Sequence, residues 1–263
     1  MRIGFAGNLS KNGVAAQRDA LAESARRRGH DCALYDDVES LERTACPPEI
    51  LTVIGGDGTL LRFARTAAVL DIPILGVNQG RIGFLSEASA EEFPMALDRL
   101  NEGNCTVERR MMLSGSVNGG KAAPCLNDIL VFKRSFSGTV EIEMTVNGMR
   151  VAHVFGDGII AATPTGSTAY SLSAGGPVAA PGMQCTVVTP VCSHTLHVRP
   201  IVSDPLDVWE FRLLGEGFVA ADGVKVADVD RGDRVTVTRA KETVGFIRFS
   251  EKNVFELIEP KLS

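Results

Sequence analysis

Ile50-Leu51-Thr52-Val53-Ile54-Gly55-Gly56-Asp57-Gly58-Thr59 passes from a β-branched, apolar run straight into a glycine-rich turn. Five such residues in a row read as a strand buried on both faces. The glycines let the backbone reverse sharply and approach a ligand closely. Thr59–Leu70 then has helical spacing, with Thr59 a plausible N-cap. Strand, tight turn, helix is the repeating unit of a parallel sheet, and the flanking sequence repeats it. Upstream, Arg2–Ala6 reads as a strand and Val14–Arg28 as a helix closed by Gly29, followed by a strand at Cys32–Tyr35. Downstream come a strand at Ile72–Val77 and an amphipathic helix at Glu91–Leu100 that ends near Gly103. This rhythm predicts a Rossmann-like parallel α/β domain over residues 1–103.

From about residue 105 helical periodicity fades. Alternating runs replace it at Val140–Val146, Asp207–Leu213 and Arg234–Thr238. Hairpin signals accompany them at Asn118-Gly119-Gly120, Asn147-Gly148 and Asp222-Gly223. Residues 104–244 are therefore expected to form an antiparallel, β-rich domain. The fold class is α/β followed by all-β.

Composition excludes several functions. The net charge of −5 offers no basic field for nucleic acid or an anionic membrane. No apolar run approaches the roughly 18 residues of a membrane span. The N-terminal stretch MRIGFAGNLSKNG reads as a first strand and turn rather than a signal peptide. The six cysteines are scattered without a CxxC pair, which argues against zinc and redox motifs and for a reducing, cytoplasmic setting.

Two stretches could carry chemistry. In the first, Gly55, Gly56, Gly58 and Thr59 precede a helix whose free N–H groups and positive dipole end suit phosphate. Asp57 adds a carboxylate there, which is repulsive beside phosphate unless it binds a metal or takes a proton from a hydroxyl. The plainer reading is a tight turn in which Asp57 caps the helix. The second stretch is Thr163-Pro164-Thr165-Gly166-Ser167-Thr168-Ala169-Tyr170-Ser171-Leu172-Ser173-Ala174-Gly175-Gly176-Pro177. Its hydroxyls and backbone N–H groups would make a neutral lining for ribose and phosphate oxygens, and Tyr170 could offer a flat face to a base. An ordinary hydroxyl-rich loop capping a helix is the alternative. Asn127-Asp128 could grip a ribose diol or simply start a strand. Gly156-Asp157-Gly158 repeats the Gly-Asp-Gly string, and Asp222-Gly223 is most simply a hairpin turn. His194 and His197 lie near Cys192 but are too few for a metal site, so packing or hydrogen bonding is expected of them. No Gly-x4-Gly-Lys-Ser/Thr loop is present. Gly215-Glu216-Gly217-Phe218-Val219-Ala220 fits a loose dinucleotide pattern but opens no evident helix, and it is set aside.

In order, GGDGTLLRFAR, GVNQGRIGFLSE, LNDILVF, GDGIIAATPTGSTAY, CSHTLHVRPIV and ADG resemble the NAD kinase family over roughly residues 1–250. GGDGT alone also resembles diacylglycerol-type lipid kinases, whereas the TPTGSTAY stretch is far more specific to NAD kinases. The resemblance implies transfer of the γ-phosphate of ATP to the 2′-hydroxyl of the adenosine ribose of NAD, giving NADP. It implies Mg²⁺ on the ATP phosphates, with no metal ligand assigned on the protein. It makes Asp57 the expected catalytic base. It places Asp57, Gly58, Arg62, Phe84, Asn127, Asp128, Asp157, Thr168, Ala169, Tyr170, Ser171, Leu172 and Ser173 on NAD. Residues 245–263 are expected to return to the first domain, Val254–Ile258 among them. A homodimer or homotetramer is implied, with Asp157 able to reach a neighbouring subunit's adenine site.

Three positions depart from the family pattern. Asp128 stands where Glu is usual, Phe155 where many bacterial members have Arg, and Val224 where many have Gln. None touches the GGDGT acid. The rival readings are a lipid kinase, which would need an apolar acyl site, and a non-catalytic dinucleotide-binding protein, which would not need Asp57.

Overall fold

A computed structural model describes residues 1–79 and 83–249. The chain divides into two units, residues 1–110 with 242–263 and residues 111–241. The segment Val254–Ile258, expected to rejoin the first domain, lies outside the described residues, as does the Gly80–Ile82 part of GVNQGRIGFLSE.

In the first unit the order is β1 (Arg2–Gly7), α1 (Val14–Arg27), β2 (Asp31–Leu34), α2 (Val38–Glu42), β3 (Ile50–Ile54), α3 (Asp57–Val69), β4 (Ile74–Asn78), β5 (Ala88–Ser89) and α4 (Phe93–Asn101). The strands lie side by side as β4-β3-β1-β2, all parallel. β3 and β4 are buried throughout, as expected for strands covered on both faces. α1 turns Val14, Arg18, Leu21, Ala22 and Ala25 inward, one stripe of a 3.6-residue period. Its buried Arg18 donates to Asp19, to Asp36 and to the carbonyl of Tyr35. Phe93, Leu97 and Leu100 of α4 share a core with α1 and β1, where Phe5 and Phe93 meet edge to face at 5.9 Å. α1 ends at Gly29, which takes φ +84°, as a C-terminal glycine stop requires.

Two sequence expectations need correction here. Thr59 does not cap α3. The turn is completed within Gly55 and Gly56, so the helix starts at Asp57 with Gly56 as its cap and no side-chain capping bond. Thr59 is instead the third helical residue and is buried beneath Gly55. The strand expected from Ile72 starts at Ile74. Asp71 takes φ +52° to leave α3, and the Ile72 N–H is still engaged with the Ala67 carbonyl. Pro73 then has no N–H to give.

β6 (Thr106–Val117) carries the chain into the second unit. There follow β7 (Ala123–Cys125), β8 (Asp128–Lys133), β9 (Val140–Val146), β10 (Met149–Gly156) and β11 (Gly158–Ala162). A 3-10 turn at Gly166–Thr168 and the short α5 (Tyr170–Ser173) come next. β12 (Thr186–Val191), β13 (Ile201–Ser203), β14 (Trp209–Leu213), β15 (Gly217–Ala221), β16 (Val224–Val229) and β17 (Arg234–Arg248) complete the order. One antiparallel layer runs β13-β12-β11-β8-β15-β16. The other pairs β10 with β9, β9 with β14, and β14 with the start of β17. Alternation supplies the core: Val140, Ile142 and Met144 from β9, Trp209, Phe211 and Leu213 from β14, and Ile129 and Val131 from β8. β11 is buried on both faces, since Ile159 and Ala161 join that core while Ile160 and Ala162 join a second one. The turns Asn147-Gly148 and Asp222-Gly223 have positive φ at both residues, as two-residue hairpins demand. β17 runs on to Arg248, longer than the Arg234–Thr238 strand expected from sequence, and its Phe246 pairs in parallel with Ile74 of β4.

One glycine tests the packing of the first unit. A Cβ on Gly76 of β4 would fall 2.5 Å from Leu60 Cδ2 and 2.9 Å from the backbone Cα of Ser86. Leu60 could rotate aside, but the Ser86 backbone cannot. Gly76→Ala is expected to lower unfolding stability by about 1–3 kcal/mol, the usual cost of overpacking. Denaturant titration checks this, and an unchanged midpoint would contradict the packing described.

Candidate active site

In the first unit the strand–turn–helix places Asp57 at the first position of α3, beside the free N–H groups of the helix start. Its side chain does not cap its own helix. Instead Oδ2 accepts the Phe84 N–H and Oδ1 the Leu85 N–H, each at 3.1 Å. Two consecutive amides thus fix both carboxylate oxygens, and the group is half-buried. Each oxygen keeps a further lone pair for a hydroxyl. Gly58 and Arg62 are exposed, and Phe84 is half-buried.

In the second unit Asn127 and Asp128 stand at the start of β8. The segment Leu126–Asp128 is gripped by Asp222, whose carboxylate accepts N–H bonds from Leu126 at 2.8 Å, Asn127 at 2.7 Å and Asp128 at 3.3 Å. Sequence reasoning missed this role. Asp222-Gly223 does make the hairpin between β15 and β16, but its side chain also binds a strand end 94–96 residues away. Only its place in the run of motifs hinted at more than a turn.

The hydroxyl-rich loop is locked to the same segment. Thr163 N–H donates to the Asn127 carbonyl at 2.8 Å, and Thr163 Oγ1 donates to the Leu126 carbonyl at 2.6 Å. Gly166 passes so close that a Cβ there would lie 2.0 Å from the Asn127 carbonyl oxygen. A side chain at 166 would therefore push the loop off β8. Ser167 holds the loop from within by accepting the Ala179 N–H at 3.0 Å. Ser171 is fully buried and shares a hydrogen bond with Thr189 at 2.9 Å. Thr168 donates to the Thr165 carbonyl. Ala169 and Leu172 are half-buried, whereas Tyr170 and Ser173 are exposed.

Electrostatics draws these residues into one cluster. Burial raises the Asp128 pKa to about 7, and the neighbouring charge of Asp222 adds to the rise. Burial also raises Asp222, against the pull of its three backbone donors. Burial raises the Tyr170 phenol, with Cys192, Asp157 and Asp128 contributing in the same direction. Asp157 lies between β10 and β11 and pairs with Lys133 at 2.7 Å, which holds it below the ordinary carboxylate range. Phe155 is exposed and packs edge-on against His194 at 5.7 Å. Val224 is also exposed, at the start of β16. Among the described residues no group of three or more His, Cys, Asp or Glu side chains could hold a metal ion.

An acid at a glycine-rich helix start in the first unit and a hydroxyl-rich loop in the second are each consistent with a nucleotide-dependent phosphotransferase. Comparison with known proteins makes the class specific. The ATP-NAD kinase N-terminal domain matches residues 13–105, and the ATP-NAD kinase C-terminal domain matches residues 126–249. The chain is 38% identical to an NAD kinase of Gemmatimonas aurantiaca, covering 100% of this chain and 96% of that one. It is 40% identical to an NAD kinase of Moorella thermoacetica, covering 84% of this chain and 73% of the relative. Among solved structures, an NAD kinase from Archaeoglobus fulgidus in complex with ATP superposes with a TM-score of 0.81 at 28% identity, covering 100% and 98% of the two chains. A yeast NADH kinase shares the fold, with a TM-score of 0.85 at 20% identity over 100% of this chain and 87% of that one. The chain belongs to the ATP-NAD kinase family. The lipid-kinase alternative finds no support, since both halves match ATP-NAD kinase domains.

The buried carboxylate at Asp128 has a consequence for stability. Its folded pKa is raised to about 7 from an ordinary value near 3.8. Between those values the native state holds a proton that the unfolded chain has released, so stability falls as pH rises from about 4 to about 7. The cost is complete above the folded pKa. Replacing Asp128 with Asn removes the titrating group. The Asp128→Asn variant is expected to lose less stability than the wild type between pH 5 and pH 8. Thermal unfolding across that range checks this, and parallel profiles for the two proteins would contradict it.

Proposed function

We propose that this protein is an NAD kinase that transfers the γ-phosphate of ATP to the 2′-hydroxyl of the adenosine ribose of NAD, with Asp57 receiving the hydroxyl proton. The observation that carries the assignment is the double amide anchor on Asp57. A base must be held within hydrogen-bond reach of the proton it takes, and bonds from Phe84 and Leu85 fix both oxygens without filling them. The helix start that follows Gly55 and Gly56 offers the Gly58 N–H to phosphate oxygens, whereas the Gly55 and Thr59 N–H groups are already given to the Val77 and Gly56 carbonyls.

The second unit supplies the nucleoside contacts in this reading. Asn127 and Asp128, presented by Asp222, take ribose or amide groups of NAD. Within the second unit Thr168, Ala169, Tyr170, Leu172 and Ser173 are assigned to adenosine, and within the first unit Phe84 and Arg62 are assigned to NAD. Ser171 supports the loop through Thr189 rather than meeting the ligand with its hydroxyl. Phosphoryl transfer depends chiefly on alignment and on neutralising the charge of the transferred group. Mg²⁺ would enter with the phosphates of ATP, and the carboxylate of Asp57 could act on the hydroxyl proton, on that ion or on both. On the phosphates the ion would supply part of that neutralisation. The separated, free cysteines support a cytoplasmic setting. No helix among the described residues is long and apolar enough to cross a membrane.

Asp57→Asn keeps the shape of the acid and removes its charge. Turnover is expected to fall by at least about 10²-fold, the low end for a general base, while calorimetric NAD affinity is kept. A coupled assay offering NAD, a diacylglycerol or no acceptor should give product with NAD alone. Near-normal turnover in the Asp57→Asn variant would remove Asp57 as the base. We also infer from the family resemblance a homodimer or homotetramer in which Asp157 completes a neighbour's adenine site, the closed symmetric assembly usual for soluble oligomers. Light scattering under assay conditions should give a multiple of 28.0 kDa, and an active monomer would overturn the shared site.

A further inference from the structure

Asp57 owes its position to the backbone of residues 83–87, and that backbone is gripped from its other side by one buried cation. Arg248, at the end of β17, is 6% exposed. Its Nη1 donates to the Leu85 carbonyl at 3.1 Å and its Nη2 reaches the Phe84 carbonyl at 3.4 Å. The same Nη1 meets Glu87 Oε2 at 3.1 Å, and Nε meets Glu108 Oε2 at 2.8 Å. The Phe249 N–H closes the clasp on Glu87 Oε1 at 2.9 Å. Glu108 is shared with Arg110 at 2.8 Å. All of these residues belong to the first unit.

The geometry matters because the Phe84 carbonyl and the Leu85 N–H are the two ends of one peptide plane. The N–H end points to Asp57 Oδ1 and the carbonyl end to Arg248. A rigid peptide held at one end orients the other. A cation on the carbonyl also polarises the N–H and strengthens its bond to the carboxylate. The neighbouring glycine leaves no slack, since a Cβ on Gly83 would fall 2.3 Å from Asp57 Oδ1. A shift of this segment therefore moves the acid. Arg suits the task because its planar fork serves two carboxylates and two carbonyls at once, which a single ammonium cannot do.

We propose that Arg248 is a positioning residue for phosphoryl transfer, holding the Phe84 and Leu85 carbonyls so that the Leu85 N–H, and with it the adjoining Phe84 N–H, fixes the carboxylate of Asp57. The role rests on the reading of Asp57 as the base. It acts on alignment, so its loss falls on turnover rather than on substrate binding.

The test uses the full-length enzyme with Arg248→Lys, which keeps the buried charge but not the fork, and Arg248→Met as a harsher second variant. Three readouts are taken: kcat and KM for NAD and ATP, the unfolding midpoint, and amide hydrogen exchange at Phe84 and Leu85. Arg248→Lys is expected to lower kcat by about 10-fold to 100-fold, the scale of a small misplacement, with both KM values nearly unchanged. The Phe84 and Leu85 amides are expected to exchange faster. Placed on Asp57→Asn, Arg248→Lys should cost little further turnover, because two residues acting as one unit are not additive. Wild-type exchange at both amides in a folded Arg248→Lys variant would overturn the proposal. So would an equal loss of kcat in the wild-type and Asp57→Asn backgrounds, which would mark Arg248 as merely structural. Should Asp57→Asn alone turn over normally, the base assignment falls, while amide exchange still decides whether Arg248 holds the peptide.

Discussion

Both units rest on the same interaction, a carboxylate clasped by consecutive backbone amides of a distant segment. In the first unit Phe84 and Leu85 donate to Asp57, and in the second Leu126, Asn127 and Asp128 donate to Asp222. Such bonds join a charged acceptor to donors whose directions are fixed by the chain, so they set position and orientation together. They also satisfy backbone N–H groups that irregular segments would otherwise leave unpaired. The two clasps nevertheless serve different ends. Asp57 is the group being positioned, whereas Asp222 positions others.

That difference explains where the buried charge sits. Asp222 spends its oxygens on three amides and so draws the start of β8 inward, which places Asp128 in a buried site beside a second carboxylate. Burial and the neighbouring charge both disfavour ionising Asp128. Gly166 and Thr163 pack on the adjoining Asn127 backbone, so the loop and the start of β8 form one rigid segment.

Much of this was legible in the sequence, for identifiable reasons. The period-2 run Val140–Val146 appears as a strand with those bounds, because alternation survives wherever one sheet face is buried. The helix at Val14 is recovered because its apolar stripe and its glycine stop agree. Thr59 misled because a threonine before an apolar helix is a sound capping signal, yet the two preceding glycines had already completed the turn. Arg248 and Asp222 could not be read as partners of anything. Their contacts span 163–164 and 94–96 residues, and no local pattern encodes which carbonyl or amide will lie opposite. Local sequence fixes the period and the turns, while long-range polar pairing emerges only once strands are in register.

This division bears on how the acid could be tuned without touching the glycine motif. GGDGT specifies a backbone path and supplies Asp57, but the direction of the carboxylate is set by amides 27 and 28 residues further on. Those amides are in turn held by a side chain at the end of β17, next to the pairing of Phe246 with Ile74 of β4. Displacing the end of β17 would therefore reach Asp57 through one peptide plane, with no change in the residues that define the motif. Conversely, a change within the motif that preserved the turn would still meet an arrangement of donors built for a carboxylate at one place. An acid in this turn is only as well directed as the distant strand that holds its donors, so the chemistry of the first unit depends on β17 as directly as on the motif itself.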